Sequence, residues 1–182
     1  RSGVVAGQIL CVVVEATTGN ATTTLSINNN DFHDITHTVA GTGAITFISS
    51  VVQVRTLNVN SNTFTNISVN TSGTVTFINQ GYTMANSGDA QNFNSNSIVT
   101  AFNKTTAGNS VIITTTNSTS GTGTIANYLN NNFSNITVVG ATILTGFNNT
   151  DGGAGSTKTV TGNIFNAWTG GTNTVTGMNI TY

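Results

Sequence analysis

The chain is 182 residues long, enough for one domain of ordinary size. Only 5% of its residues are charged, against about a quarter in an ordinary soluble domain, and four Lys plus Arg against five Asp plus Glu leave a net charge of −1. Arg1, Arg55, Lys104 and Lys158 are scattered along the chain, which argues against nucleic acid as a partner, because phosphate backbones demand clustered cations, and against anionic membrane surfaces for the same reason.

Thr, Asn, Ser and Gly replace the missing charge. A polar, biased composition is one signature of disorder, but a disordered chain lacks β-branched and aromatic residues. This one carries many Val and Ile and nine Phe, residue types that favour a pleated, half-buried surface. Proline is absent, which suits uninterrupted strand ladders, since each Pro removes a backbone donor. No apolar stretch reaches the roughly 18 residues of a membrane helix. The chain opens at Arg1 with neither an initiator Met nor a signal peptide, and reads as a processed product or an excised fragment.

Residues 1–24 stand outside the repeat register described next, and are expected to form an N-terminal cap or an incomplete first coil, with strand-like runs at 12–15 and 22–25. Cys11, the single cysteine, lies in the apolar run Ile9-Leu10-Cys11-Val12-Val13-Val14 and reads as a small buried core residue; no intramolecular disulfide is possible.

From residue 25 to 182 the chain repeats. Five segments align on Phe32, Phe64, Ile98, Phe133 and Phe165, at spacings of 32, 34, 35 and 32 residues, a period typical of solenoid units. Two positions earlier stands Asn each time: Asn30, Asn62, Asn96, Asn131 and Asn163. Five positions earlier the residue is apolar: Ile27, Val59, Phe93, Tyr128 and Val160. Three positions later come Ile35, Ile67, Ala101, Ile136 and Trp168, and the next column is Thr36, Ser68, Phe102, Thr137 and Thr169. Each repeat then turns at a Gly-containing segment into a second strand-like run, at 44–48, 74–78, 110–113, 142–144 and 174–178.

One such unit cannot bury its own apolar face, whereas stacked units place Phe over Phe and Ile over Ile in a continuous core. Stacked Asn side chains can hydrogen-bond up the stack, and Asn tolerates the left-handed conformation of a sharp bend. The fold expected is therefore all-β: a single-domain right-handed parallel β-helix (β-solenoid) of about five coils of 32–35 residues. A β-sandwich also has many short strands but does not require the same residue in the same register, and helical repeats are disfavoured by the scarcity of Glu, Lys and Arg.

The runs Asn60-Ser61-Asn62-Thr63-Phe64-Thr65-Asn66-Ile67, Asn130-Asn131-Asn132-Phe133-Ser134-Asn135-Ile136 and Thr161-Gly162-Asn163-Ile164-Phe165-Asn166-Ala167-Trp168-Thr169 resemble the Asn-x-Phe-x-x-Ile/Trp repeats of right-handed β-helix proteins, in particular large secreted or surface-anchored proteins of Bacteroidetes-like bacteria. The resemblance spans about residues 25–182. It implies an adhesin, stalk or other surface protein whose repeat tract carries no catalytic motif. The third repeat departs from the pattern, with Ile98 and Ala101 where bulkier residues stand elsewhere.

One dense titratable cluster exists, Asp31-Phe32-His33-Asp34-Ile35-Thr36-His37. Strand alternation would set Asp31, His33 and His37 on one face, as candidate ligands for a divalent metal, if no bend intervenes. The repeat register puts a bend there, so the cluster reads as solvated turn decoration. Glycoside hydrolysis needs two carboxylates at a fixed separation; Asp31 and Asp34 are candidates, but Asp89 and Asp151 fall in other repeats. No nucleophile elbow, P-loop or nucleotide fingerprint is present, and the glycine-rich run 152–155 lacks the strand–loop–helix context of a phosphate site. The Asn-x-Ser/Thr sequons, for example at Asn66, Asn103, Asn117, Asn132 and Asn135, are what so much Asn and Thr yields by chance. Trp168 reads as a core residue rather than a sugar platform.

No enzyme activity and no cofactor are expected. The expected role is an extracellular or cell-surface structural or adhesive module. Its partners would be copies of itself or flanking repeats, met through open strand edges, and surface carbohydrate. Head-to-tail contacts of this kind build filaments. The alternative is an ice-binding or carbohydrate-binding β-solenoid.

Overall fold

The computed structural model describes residues 6–15, 20–116, 122–149 and 155–180. Among the described residues, nineteen strands follow one another in coils. The first coil holds β1 (Ile9–Val14), β2 (Asn20–Ser26), β3 (Asp31–His33) and β4 (Thr36–Gly41). The second holds β5 (Ile45–Ser50), β6 (Val54–Asn58), β7 (Thr63–Thr65) and β8 (Ile67–Thr71). The third holds β9 (Val75–Gln80), β10 (Ala90–Asn94), β11 (Ser97–Ile98) and β12 (Phe102–Lys104). In the fourth, β13 (Ser110–Thr116) and β14 (Ile125–Leu129) lead into one longer strand, β15 (Asn132–Val138), and the fifth repeats that form with β16 (Ile143–Asn149), β17 (Thr157–Thr161) and β18 (Ile164–Thr169). A further strand, β19 (Val175–Ile180), opens the next coil.

Each strand pairs in parallel with its counterpart one coil away. Three sheets result. Sheet A runs β1-β5-β9-β13-β16-β19, sheet B runs β2-β6-β10-β14-β17, and sheet C gathers the remaining strands. The protein is a parallel β-solenoid of about five turns. Residues 9–14 are the outermost strand of sheet A, and β2, the outermost strand of sheet B, runs across positions 24 and 25.

The anchor column stacks as the spacing predicts: Phe32 opposite Phe64, Phe64 opposite Ile98, Ile98 opposite Phe133 and Phe133 opposite Phe165. The rings of Phe32 and Phe64 lie parallel with centroids 5.0 Å apart, an offset-stacked distance favourable for aromatic pairs. Phe93 and Tyr128 stack in the apolar column five positions earlier. In sheet A, alternation breaks at mid-strand: Phe47 and Ile48 are both fully buried, as are Phe77 and Ile78. This widens the apolar face beyond what period two allows. Gly146 makes room in the fifth coil, since a Cβ there would lie 2.6 Å from the Phe165 ring.

The third coil corrects the register read from the sequence. Ala101 does not stack beneath Ile67; Phe102 does, opposite both Ile67 and Ile136, and Asn103 takes the next column opposite Ser68 and Thr137. In the other coils a single left-handed residue makes this bend: Asp34, Asn66, Asn135 and Ala167. The third coil has an additional residue instead. Val99 is exposed, and the Thr100 hydroxyl accepts the Asn66 backbone N–H at 2.7 Å, replacing a backbone acceptor displaced by the insertion.

A second correction concerns Cys11. It lies between the Leu10–Thr46 and Val12–Ile48 pairs, yet it is exposed. It belongs to the outermost strand, where no further described coil covers it.

Candidate assembly interface

The Asn column is a continuous ladder inside the bend between sheets B and C. The left-handed conformation expected of these residues falls on their neighbours instead: Asn29, Ser61, Ser95, Asn130 and Gly162 all have φ between 55° and 70°. That turn points the following Asn inward. Asn62, Asn96 and Asn131 are then fully buried.

Buried amides must be satisfied, and here they are in full. Asn62 Oδ1 accepts from the backbone N–H and the Nδ2 of Asn30 at 3.0 and 2.9 Å. Its own Nδ2 donates to the Ile27 carbonyl at 2.8 Å and to Asn96 Oδ1 at 3.0 Å. Two donors and two acceptances exhaust the amide. The unit repeats from Asn96 to Asn131, with Val59 supplying the carbonyl, and from Asn131 to Asn163, with Phe93 supplying it.

The ladder has two unlike ends. In the first coil, Asn30 donates to Asn28 and Asn62, but its Oδ1 accepts nothing from the described residues. In the fifth coil, Asn163 Nδ2 donates to the Tyr128 carbonyl at 2.7 Å. Its backbone N–H and second amide hydrogen meet no acceptor among the described residues. One end therefore offers an acceptor and the other offers donors, in the geometry each interior step uses.

The same asymmetry holds for the sheets and the core. Among the described residues, β1, β2, β3 and β4 are the outermost strands at one rim, and β17, β18 and β19 at the other. Phe64 and Phe133 are fully buried in the middle coils, whereas Phe32 and Phe165 are only half-buried. Val12, Leu25 and Ile35 at one rim and Val160, Trp168 and Met178 at the other are likewise half-buried. Trp168 packs edge-on against Phe165 and donates from Nε1 to the Phe133 carbonyl at 2.6 Å. It is partly buried and packs against the core from the last coil.

The titratable cluster at 31–37 is divided by the bend. Asp31 and His33 face solvent on β3, where Asp31 accepts the Thr63 hydroxyl at 2.7 Å. Asp34 takes the left-handed turn. Its carboxyl accepts from Asn66 Nδ2 at 2.8 Å and contacts His33 Nδ1 at 3.2 Å, and these partners, Asn66 foremost, hold it below its ordinary pKa. His37 points the other way, into the core, and neither ring nitrogen has a partner among the described residues. Asp31, His33 and His37 are thus not brought together. Among the described residues no group of three or more His, Cys, Asp or Glu converges on a metal position. The glycine-rich positions 152–154, the sequon residue Asn117 and the end residues 181–182 lie outside the described residues.

Two further ladders follow the same period. Asn28, Asn60 and Asn94 each accept a backbone N–H from the neighbouring coil, and Asn127, Asn92 and Asn58 pass a side-chain bond along sheet B at 2.8 Å per step. Their signal was the same recurrence of Asn, two and four positions before the inner ladder.

Compared with protein-family models, curated proteins and solved structures, the chain matches none.

Proposed function

We propose that the chain is a non-catalytic structural or adhesive module of an extracellular surface, of the kind built by the bacterial β-helix proteins its repeats resemble, and that it lengthens by stacking end to end with copies of itself. The observation that carries this reading is the complementarity of Asn163 and Asn30. Bringing the fifth coil of one copy against the first coil of the next, one strand spacing of about 4.8 Å away, gives each orphaned group the partner it has at every interior step. The contact is head-to-tail and does not close, so it propagates. Open strand edges promote such pairing.

Magnitude sets the conditions. Burying an apolar side chain fully is worth roughly 1.5–3 kcal/mol. The half-buried side chains at the two rims therefore contribute on the order of 10 kcal/mol, which is comparable to the roughly 4–15 kcal/mol that association costs. Assembly is accordingly dependent on concentration.

Negative-stain electron microscopy and sedimentation velocity over a concentration series test it. The expected result is filaments with an axial repeat of roughly 25 Å, about five strand spacings, shortened by Ile164→Lys and Val175→Lys, which place ammonium groups on the exposed rim. A monodisperse species of single-chain mass at the highest concentration would overturn stacking between copies.

A further inference from the structure

The outer face of sheet A differs from every other surface of the solenoid. Two columns of side chains run along it parallel to the stack. Leu10, Thr46, Thr76, Ile112, Thr145 and Thr176 form one; Val13, Ser49, Asn79, Thr115, Asn148 and Asn179 form the other, polar from the second coil onward except at Ile112. Neither column contains a charged residue, whereas Asp31, His33 and Asp34 lie outside on sheet C and Arg55 on sheet B. Thr46, Ser49 and Thr76 are less than a tenth exposed, although they lie outside the apolar core. Their short side chains are sunk into the face.

The face deepens toward β13, β16 and β19 into a cleft of about 340 Å³, lined by Ser110, Ile112, Thr145, Asn148, Thr176 and Asn179. Hydroxyls and amides there both donate and accept, and Ile112 adds one apolar contact. Asn179 Nδ2 donates to Asn148 Oδ1 at 3.0 Å, so these two amides are held in place before any ligand arrives. The cleft has the volume of a small ligand site, but its lining, five polar residues to one apolar, suits a polar ligand.

We propose that this cleft binds a neutral polysaccharide chain lying along the solenoid axis. With no cation in its lining, the cleft has nothing to neutralise a polyanion. β13 and β16 already have both edges paired, so a peptide can add as a strand only along the outer edge of β19, at the rim rather than across the cleft. A linear neutral glycan presents hydroxyls along its length and matches columns that repeat every strand spacing. The three coils of the cleft span about 10 Å, enough for two sugar units.

Affinity electrophoresis tests this, using native gels cast with galactomannan, xyloglucan, mixed-linkage β-glucan or dextran, and with alginate as the anionic control. Retardation by at least one neutral polymer and none by alginate is expected. Thr145→Arg, which fills the cleft with a guanidinium, should weaken that retardation by about tenfold or more, equivalent to about 1.4 kcal/mol, while Thr157→Arg on sheet B leaves it unchanged. Circular dichroism and melting verify the variants, and Ser110→Tyr serves if Thr145→Arg melts early. Passage through all neutral gels without retardation overturns the proposal, as does retardation insensitive to both cleft variants. Arrest of ice growth without glycan retardation would assign the face to ordered water and likewise overturn it.

Discussion

Asn96 and Asn131 share one oxygen. The backbone N–H and the Nδ2 of Asn96 donate to Asn131 Oδ1 at 2.9 and 3.1 Å, and neither side chain is exposed. Each residue of this ladder thus ties two coils together through side chain and main chain at once.

Replacing Asn96 by Leu strands the Asn62 N–H, one Asn62 amide hydrogen and the Val59 carbonyl in a buried bend. At about 1–3 kcal/mol for each orphaned group, a loss of about 3–5 kcal/mol is expected, read as a fall in thermal midpoint of roughly 10 °C at this chain length. Asn127→Ala, on the outward ladder, should cost less than about 1 kcal/mol. Equal losses would mean the buried ladder has no special weight.

The corrected register of the third coil makes a paired prediction. Phe102 is fully buried against Phe77, with centroids 4.9 Å apart, so Phe102→Ala should cost about 3–5 kcal/mol in chemical denaturation. Ala101 is exposed, and Ala101→Ser should change stability by no more than about 0.5 kcal/mol. The reverse order would restore the unshifted repeat.

His37 stacks opposite Val69 with both ring nitrogens buried and without a partner among the described residues. Leu at this position removes the unsatisfied atoms and keeps an apolar volume. His37→Leu is expected to raise stability by about 1–3 kcal/mol, seen as a higher denaturant midpoint. A lower midpoint would mean the imidazole has a native partner.

Lys104 is the inward residue two coils along the same column, and its ammonium donates to the Thr106 and Gly108 carbonyls at 2.7 and 2.9 Å. Burial pulls its pKa from 10.5 down to about 8. Between these two values the unfolded chain binds more protons than the folded one, so stability rises with pH across that window. Below about 8 both states are charged and this contribution is flat. Denaturant melts from pH 7 to 11 should show the rise in the native sequence and lose it in Lys104→Met.

Much of the fold was legible because a solenoid repeats its environment. The Phe and Asn columns, the strands of sheet A and the parallel stacking are all consequences of a period that survives in the sequence. The third coil misled because an inserted residue leaves the Asn and Phe columns intact on either side. Nothing in the local run Ile98-Val99-Thr100-Ala101-Phe102 says where the additional residue bulges. That is decided by which side chain, Ala or Phe, can fill the space between Ile67 and Ile136. Cys11 misled for a related reason: an apolar run is buried only if something covers it.

The sequence by itself determined the periodicity, the parallel β-solenoid and the residues of the inner ladder, because each follows from like residues needing like neighbours one coil away. Only the tertiary structure decided that the turn before each Asn, rather than the Asn, takes the left-handed conformation, that Asp31 and His33 part from His37 across the bend, and that sheet A presents an uncharged cleft. These depend on which way a side chain points at a bend and on how deep a face lies, and both are set by backbone geometry and by packing across coils.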